Sequence, residues 1–520
     1  MVSNALTTSP ILDATGKPFS ASNESYRGAR LERKWKTWIP DHTSGDAAIG
    51  NSFDMMLRRI REMGRDDATI KASKRAIVKH VIGPGILAFA DALADGSIEE
   101  YDDDFNDPSD SWFERWSEER ECDIEGRFSF EEMQAHQWDE MMESGESLWL
   151  RVDDDTPGRS VRLAYQLLEA EQLDESRDWD AGYDTPYECR RGIEYDTLGR
   201  PKFYWLFDVH PYDNNFGGTF TATSKRVPAN RVIHTYLPNR TSEHRGITWF
   251  TNLQSAKDLD WYLSNELTSA AIGALFSVVI NRATGAGSGT GFASSNPSAT
   301  STNSTINLGP GTIADMGPDD KVTPVESNRH ARDSKPFIDL ILQTQAMSVG
   351  ISRLRLTGDY SQTSYTSARA AHLDDQAFFV MLQGFANRNF IRPIRKEHQR
   401  QAVISGRIPK MTARKYLEHQ VRLEDFFVQP PGREQIDPEK ETNAAAARVR
   451  FGFSTHAEEC GKRGRHWRKV ARQRAREERY WLKTVGRLPD LGESKAYLEE
   501  YSARVAAEQA AAAQTAGSPA

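Results

Sequence analysis

The chain is predicted to fold in the α+β class, mainly helical, with its strands gathered in one stretch. Three observations point that way. Apolar residues recur at helical spacing over long segments, as in Phe53, Leu57, Ile60, Met63, Ile70, Ile77, Val78 and Val81. Between residues 148 and 209 the pattern changes to short alternating or continuous apolar runs with turn residues between them. After residue 437 it is helical again and dense in arginine.

Composition bounds the rest. The 520 residues suffice for about three domains. An apolar fraction of 38% fits a folded protein, and 27% charged residues with a mean hydropathy of −0.64 leave much solvated or partner-facing surface. A net charge of −9 argues against a free-standing DNA-binding protein, because phosphate neutralisation favours a basic one. It suits a chain that touches DNA through local basic segments without gripping it. Cys122, Cys189 and Cys460 stand far apart with no C-x-x-C pair, so they read as reduced and structural. No signal pattern opens the chain, and its most apolar run, 267–280, is short of the roughly 20 residues a spanning helix needs; the chain reads as soluble, with no membrane contact.

Taken in order, residues 1–25 read as a flexible arm. Arg30, Arg33, Lys34, Trp35, Lys36 and Trp38 read as a peripheral segment pinned by its tryptophans rather than a nucleic-acid contact. One helix is expected over 51–81, stopped at Gly83-Pro84-Gly85. The triplets Asp102-Asp103-Asp104 and Asp153-Asp154-Asp155 suggest a two-metal nuclease, the alternative enzyme reading. Three consecutive acids cannot all face one metal, so solvated turns are preferred. Strands are expected over 148–152, 163–168, 191–195 and 202–209. His210 and His234 have no nucleophile at a recognisable spacing and read as structural.

Residues 249–280 are expected to form one helix, on the order of 45 Å long. The Gly/Ser/Thr/Asn-rich stretch 283–311 lacks both G-x-G-x-x-G and G-K-S/T, so it reads as a mobile insertion rather than a phosphate loop, with short strands at 306–316 and 321–325. A helix follows over 337–347, and another runs from 367 to about 405 with a kink at Pro393. Beyond 437, Arg465, Arg468, Lys469, Arg472 and Arg476 would crowd most of a helix's circumference. Contact with DNA or an acidic partner and subunit salt bridging both explain that crowding.

Between the helices ending near 347 and starting at 367, no period remains. The stretch is built from Gly, Ser, Thr, Asp and Tyr, which favour turns. It contains Gly350-Ile351-Ser352, Gly358-Asp359-Tyr360-Ser361 and Tyr365-Thr366-Ser367-Ala368-Arg369. These segments resemble the helix–loop–helix of the lambda-type family of tailed-phage portal proteins, whose pattern reads roughly G-(V/I)-S, G-D-(Y/F)-S and Y-S-S-x-R. Thr366 replaces the usual serine and keeps its hydroxyl. Further segments resemble the family in order: Val81-Ile82-Gly83-Pro84-Gly85-Ile86, Gly145-Glu146, Arg190 to Asp196, Arg245-Gly246-Ile247 and Asp437-Pro438-Glu439-Lys440-Glu441.

The resemblance implies a portal fold, mainly α-helical with a β-containing wing and a small clip, closing as a ring of about twelve subunits around a channel. Mapped onto this chain it gives an arm at 1–45, wing at 46–246, stem helices at 247–282 and 335–350, and clip at 283–334. A tunnel loop follows at 351–367, then a kinked helix returning to the wing at 368–436, a crown at 437–505 and a disordered tail at 506–520. It implies no catalysis, no cofactor and no metal. The implied partners are further copies of the chain, non-specific double-stranded DNA, the terminase large subunit, head–tail connector or adaptor proteins, and the major capsid and scaffold proteins. The implied location is the portal vertex of the virion, with the host cytoplasm during assembly. Arg353, Arg355 and Arg369 are expected to touch phosphates, or to pair with Asp359, Asp374 or Asp375 at the subunit interface. Tyr360, Ser361, Gln362, Thr363, Ser364 and Tyr365 are expected to make weak, exchangeable hydrogen bonds. No base readout is expected, because a side chain seated in a groove would block passage.

Overall fold

The computed structural model describes residues 37, 40, 42–50, 52–97, 100–182, 186–213, 223–274, 278–281, 321–324, 334–433 and 437–485. The arm at 1–25, nearly all of the basic–aromatic patch around 30–38, the whole 283–311 stretch, the strand expected at 306–316 and the C-terminal tail lie outside them.

Helices α1 (Gly45–Gly50), α2 (Phe53–Asp66) and α3 (Ala68–Val81) open the fold. The single helix expected over 51–81 is two. Asp67 adopts extended backbone (φ −78°, ψ 125°), and its Oδ1 accepts from the N–H groups of Thr69 and Ile70 at 2.8 and 2.9 Å. An aspartate there restarts the helix by satisfying its first free donors. The apolar period survives the break because Ile60 and Met63 before it and Ile70 and Ile77 after it enter one core.

Next come β1 (Leu87–Ala90), α4 (Asp103–Glu118), α5 (Phe130–Ser144) and the strands β2 (Glu146–Asp153), β3 (Leu163–Leu168), β4 (Glu188–Arg190), β5 (Ile193–Tyr195), β6 (Pro201–Phe207), β7 (Ser224–Pro228) and β8 (Val232–Tyr236). They form a three-stranded sheet in the order β3-β2-β8 and a four-stranded meander β4-β5-β6-β7. The expected strand 163–168 is found as read. That expected from 191 starts at Ile193, because Arg191 and Gly192 turn through φ +48° and +87°. Trp116, Trp138 and Trp149 are fully buried where α4, α5 and β2 meet.

The second half contains α6 (Leu253–Ala274), β9 (Val278–Asn281), β10 (Lys321–Pro324), α7 (Ser334–Val349), α8 (Arg353–Thr357), α9 (Tyr365–Ala386) and α10 (Arg392–Ile404). The helix expected over 249–280 ends at Ala274, and Val278–Asn281 pairs antiparallel with β10. Consecutive β-branched residues favour that change. Between α9 and α10 the chain widens into a π turn over Asn387–Ile391, where Arg392 N–H reaches Asn387 O. Pro393 sits just beyond as the second residue of α10 and supplies no N–H, so the expected kink takes the form of a looser turn ahead of it.

The chain closes with α11 (Ala413–Glu418), α12 (Gln420–Leu423), β11 (Phe426–Gln429), α13 (Pro438–Arg450), α14 (His456–Lys462) and α15 (Trp467–Val485). β11 pairs with β1 across the length of the sequence, Leu87 opposite Gln429. The C-terminal helical segment is broken at Gly452 and Gly464, both with positive φ. No helix among the described residues is long and apolar enough to cross a membrane.

Candidate functional site

The polar stretch between α7 and α9 is narrower than 351–367. Ser352 caps α8, its Oγ accepting from Arg355 N–H at 3.3 Å, and Ser364 caps α9, its Oγ accepting from Ser367 N–H at 3.2 Å. What stays open is 358–364. Gly358 closes α8 at φ +67°, Asp359 Oδ1 accepts from Ser361 N–H at 3.0 Å, and Thr363 N–H reaches Tyr360 O at 3.1 Å. The Ser361 bonds hold the Asp359 carboxyl below its ordinary pKa. Ser361, Gln362 and Ser364 are exposed; Tyr360 and Tyr365 are 51% and 58% exposed. A cavity of about 250 Å³ lies beneath, lined by Leu354, Arg355, Tyr360, Tyr365, Arg369 and His372.

The base of this loop is fixed by one acid. Asp375, 4% exposed on α9, accepts the N–H of Ser352 at 2.8 Å and its hydroxyl at 2.7 Å. Arg355 Nε lies 3.5 Å from the same carboxylate. Its Nη1 donates to His80 Nε2 at 3.0 Å and its Nη2 to His372 Nδ1 at 2.7 Å. Each accepting ring nitrogen must therefore be unprotonated. Gly350 lets α7 approach this base: its φ is +86°, and a Cβ there would meet the Phe378 ring at 2.9 Å.

The expected arginines thus separate. Arg355 points inward and lies beside Asp375, one of its expected partners, where it anchors the loop. Arg353 pairs with Asp339 on α7 at 3.1 Å, an acid outside the expected set. Arg369 is exposed and forms no ion pair among the described residues. The sequence pointed to Asp375 as an arginine partner but gave no hint of His80 and His372, which arrive from α3 and α9.

The C-terminal basic residues separate in the same way. Arg468 is buried, stacked 3.7 Å over the Tyr101 ring and paired with Asp91. Lys469 pairs with Glu114, and Arg472 with Asp107 at 2.7 Å and Asp103 at 3.2 Å. Arg465 and Arg476 are exposed and form no ion pair among the described residues. The basic helix and the acidic start of α4 are each other's partners, which favours salt bridging within the subunit for Arg468, Lys469 and Arg472.

The acid triplets likewise have partners of their own. Asp102 caps α4, its Oδ1 accepting from Phe105 N–H at 3.2 Å, and Asp104 pairs with Lys410 at 3.1 Å. Asp153 follows directly in β2 and pairs with Arg151 and Arg231 at 3.3 and 3.2 Å; Asp154 pairs with Arg159 at 2.8 Å, and Asp155 with Arg162. Among the described residues, the grouping of histidine and carboxylates close enough to share an ion is elsewhere, at Glu169, Glu171 and His210. Arg61 already lies on it, 2.8 Å from Glu171. His234 is a structural residue bonded to Glu146 at 3.0 Å. Burial alone would raise the pKa of Glu146, but Arg245 and His234 hold it well below the carboxylate range.

A loop anchored this way, on a chain with this order of motifs, can be compared with known proteins. The family model for the phage portal protein, lambda family, matches residues 31–383. The chain belongs to that family. It is 26% identical over 428 residues to the probable portal protein of Halomonas phage phiHAP-1, covering 81% of this chain and 80% of the relative. It is 21% identical over 477 residues to portal protein B of Escherichia phage lambda, covering 86% and 88%. A solved chain from the virion of a native gene transfer agent particle aligns over 80% of this chain and 97% of its own length, at 11% identity and a TM-score of 0.38. As a portal-family member the chain is a structural, virion-associated protein and not an enzyme.

Proposed function

We propose that copies of this chain close head to tail into a ring of about twelve, and that residues 358–364 of each project into the bore as its tunnel loop. The ring sits at one capsid vertex, where it admits DNA during packaging and releases it at ejection. Subunits assemble in the host cytoplasm with scaffold and major capsid proteins. The terminase large subunit docks first and head–tail connector proteins replace it. In this reading 46–246 is the wing, α6 and α7 belong to the stem, 283–334 to the clip and 437–505 to the crown.

The observation that supports the loop's role is a polar, exposed turn on a rigid base. Two capping serines and Asp375 fix where the turn starts and ends, while Tyr360, Ser361, Gln362 and Tyr365 stay free to contact solvent or a ligand. One such turn per subunit makes a ring of neutral donors and acceptors around a passing duplex. Each contact is weak and exchangeable, so the duplex is centred without being held. Arg369 supplies a nearby cation for phosphate, and Arg355 acts as a positioning residue from below.

Replacing 360–363 with a shorter Gly-Ser link is expected to leave ring formation unchanged and to lower DNA packaging or retention in a packaging assay. Full packaging and retention by intact rings of the shortened chain would refute the loop's role.

A further inference from the structure

α13 ends in a turn that holds two aromatic rings in water. Gly452 lies at φ +74° and donates to Val449 O at 3.1 Å, and Phe453 N–H donates to Arg448 O at 2.8 Å. That double pattern closes a helix through a left-handed residue, and the apolar side chain two places beyond the end frequently folds back on the helix. Here it does not: Phe453 is 82% exposed and Phe451 70%. The turn is rigid on its far side too. Thr455 Oγ accepts from Glu458 N–H at 3.1 Å, and the Glu458 carboxylate accepts from the Ser454 hydroxyl at 2.8 Å. Two phenyl rings followed by an acidic helix start therefore form a preorganised knob.

A groove of complementary chemistry lies elsewhere on the same subunit. It has a volume of about 580 Å³ between the β1–β11 pair and α15, with Leu87, Phe89 and Val470 as apolar lining; Glu477 lines it too, Lys469 and Arg474 are paired with Glu114 and Glu478, and Arg465 is the lining cation outside those pairs. Arg465 is exposed and forms no ion pair among the described residues. Both rings are exposed, so neither fills the groove of its own subunit.

We infer that the Phe451-Gly452-Phe453 turn of one copy seats in the β1–α15 groove of the next. The rings cover the apolar lining, and Glu458 faces Arg465. Because knob and groove are different patches, the contact is heterologous, the kind that generates a closed ring when the rotation permits. This inference rests on the ring reading above and adds to it a specific contact between subunits.

The test uses the full chain carrying Ser454→Cys and Gln473→Cys in a Cys460→Ser background, which leaves both rings in place. Mild oxidation of assembled particles is expected to convert most of the chain into a ladder of covalent oligomers on a non-reducing gel. Either variant with only one of the two added cysteines is expected to run as a monomer on that gel. Adding Phe451→Ser and Phe453→Ser to the double-cysteine chain is expected to remove the ladder. Annular particles in negative stain with no ladder, or a fast-migrating internally linked monomer instead, overturn the contact and leave the ring reading standing. No annular particle from the unaltered chain overturns both.

Discussion

Two arginine-rich regions look alike in the sequence and differ in the folded chain. Around the loop, charge grades from buried to free: Arg355 is held by Asp375 among two histidines, Arg353 shares a half-exposed pair with Asp339, and Arg369 faces water. Along α15, charge divides by helix face. Arg468, Lys469 and Arg472 recur at the spacing of one face and meet acids on β1–α4, while Arg476 does not. The loop base is a small, mostly buried polar centre, and the α15–α4 seam is broader and wetter. The same pairing chemistry should therefore matter more at the first than at the second.

The sharpest way to break that comparison is Asp375→Ala. It removes the carboxylate that bonds the Ser352 N–H and hydroxyl and flanks the Arg355 guanidinium. Removing one partner of a buried ion pair costs about 3 kcal/mol, because the desolvation of the remaining charge is offset less fully. A urea-unfolding midpoint close to that of the unaltered chain would show that the base is wetter than its 4% exposure implies.

Within the seam, His466 is the exception to the wet reading, and pH exposes it. Its ring packs 4.3 Å from Phe89 and 5.4 Å from Phe427. Burial first, and then the charges of Arg468 and Arg472, lower its pKa from 6.5 to about 4. A base whose folded pKa is lowered takes up its proton first in the unfolded chain. Its contribution to stability is then whole above pH 6.5 and lost as pH falls toward 4. Between pH 7 and pH 4.5 the unaltered chain should lose about 2 kcal/mol more than His466→Phe, within what this pKa difference permits. Equal losses in the two proteins would mean that His466 is protonated in the folded chain.

Much of this arrangement was legible in advance, for reasons that can be named. The α+β class followed from periods that the structure preserves, and β3 was read to the residue because its apolar run is bounded by turn residues on both sides. The break at Asp67 was hidden because two helices feeding one core keep one apolar period. The true width of the loop was available in Ser352 and Ser364, whose positions ahead of helical segments are N-cap signals. The fate of the arginines was not available at all. Whether Arg355 or Arg369 reaches solvent depends on where α3 brings His80, and whether Arg472 is paired depends on α4, some 365 residues earlier in the chain. Local pattern carries no record of such contacts.

The smallest expected effect tests the seam directly. Arg472 and its partners Asp107 and Asp103 have side chains 42%, 50% and 56% exposed. Water screens such pairs, and ordering two long side chains opposes their attraction, so Arg472→Ala should cost less than about 1 kcal/mol. The small loss should also shrink further in high salt, since exposed charges are screened beyond a Debye length of about 3 Å at 1 M ionic strength. Asp375→Ala should respond far less to salt, because its charges lie out of reach of mobile ions. Measuring both variants at low and high salt therefore separates the two regions by slope as well as by size. If Arg472→Ala matched Asp375→Ala at both salts, the seam would be as dry as the loop base, and crowding of like charge along α15 would have to be a device for rigidity rather than for solvated pairing.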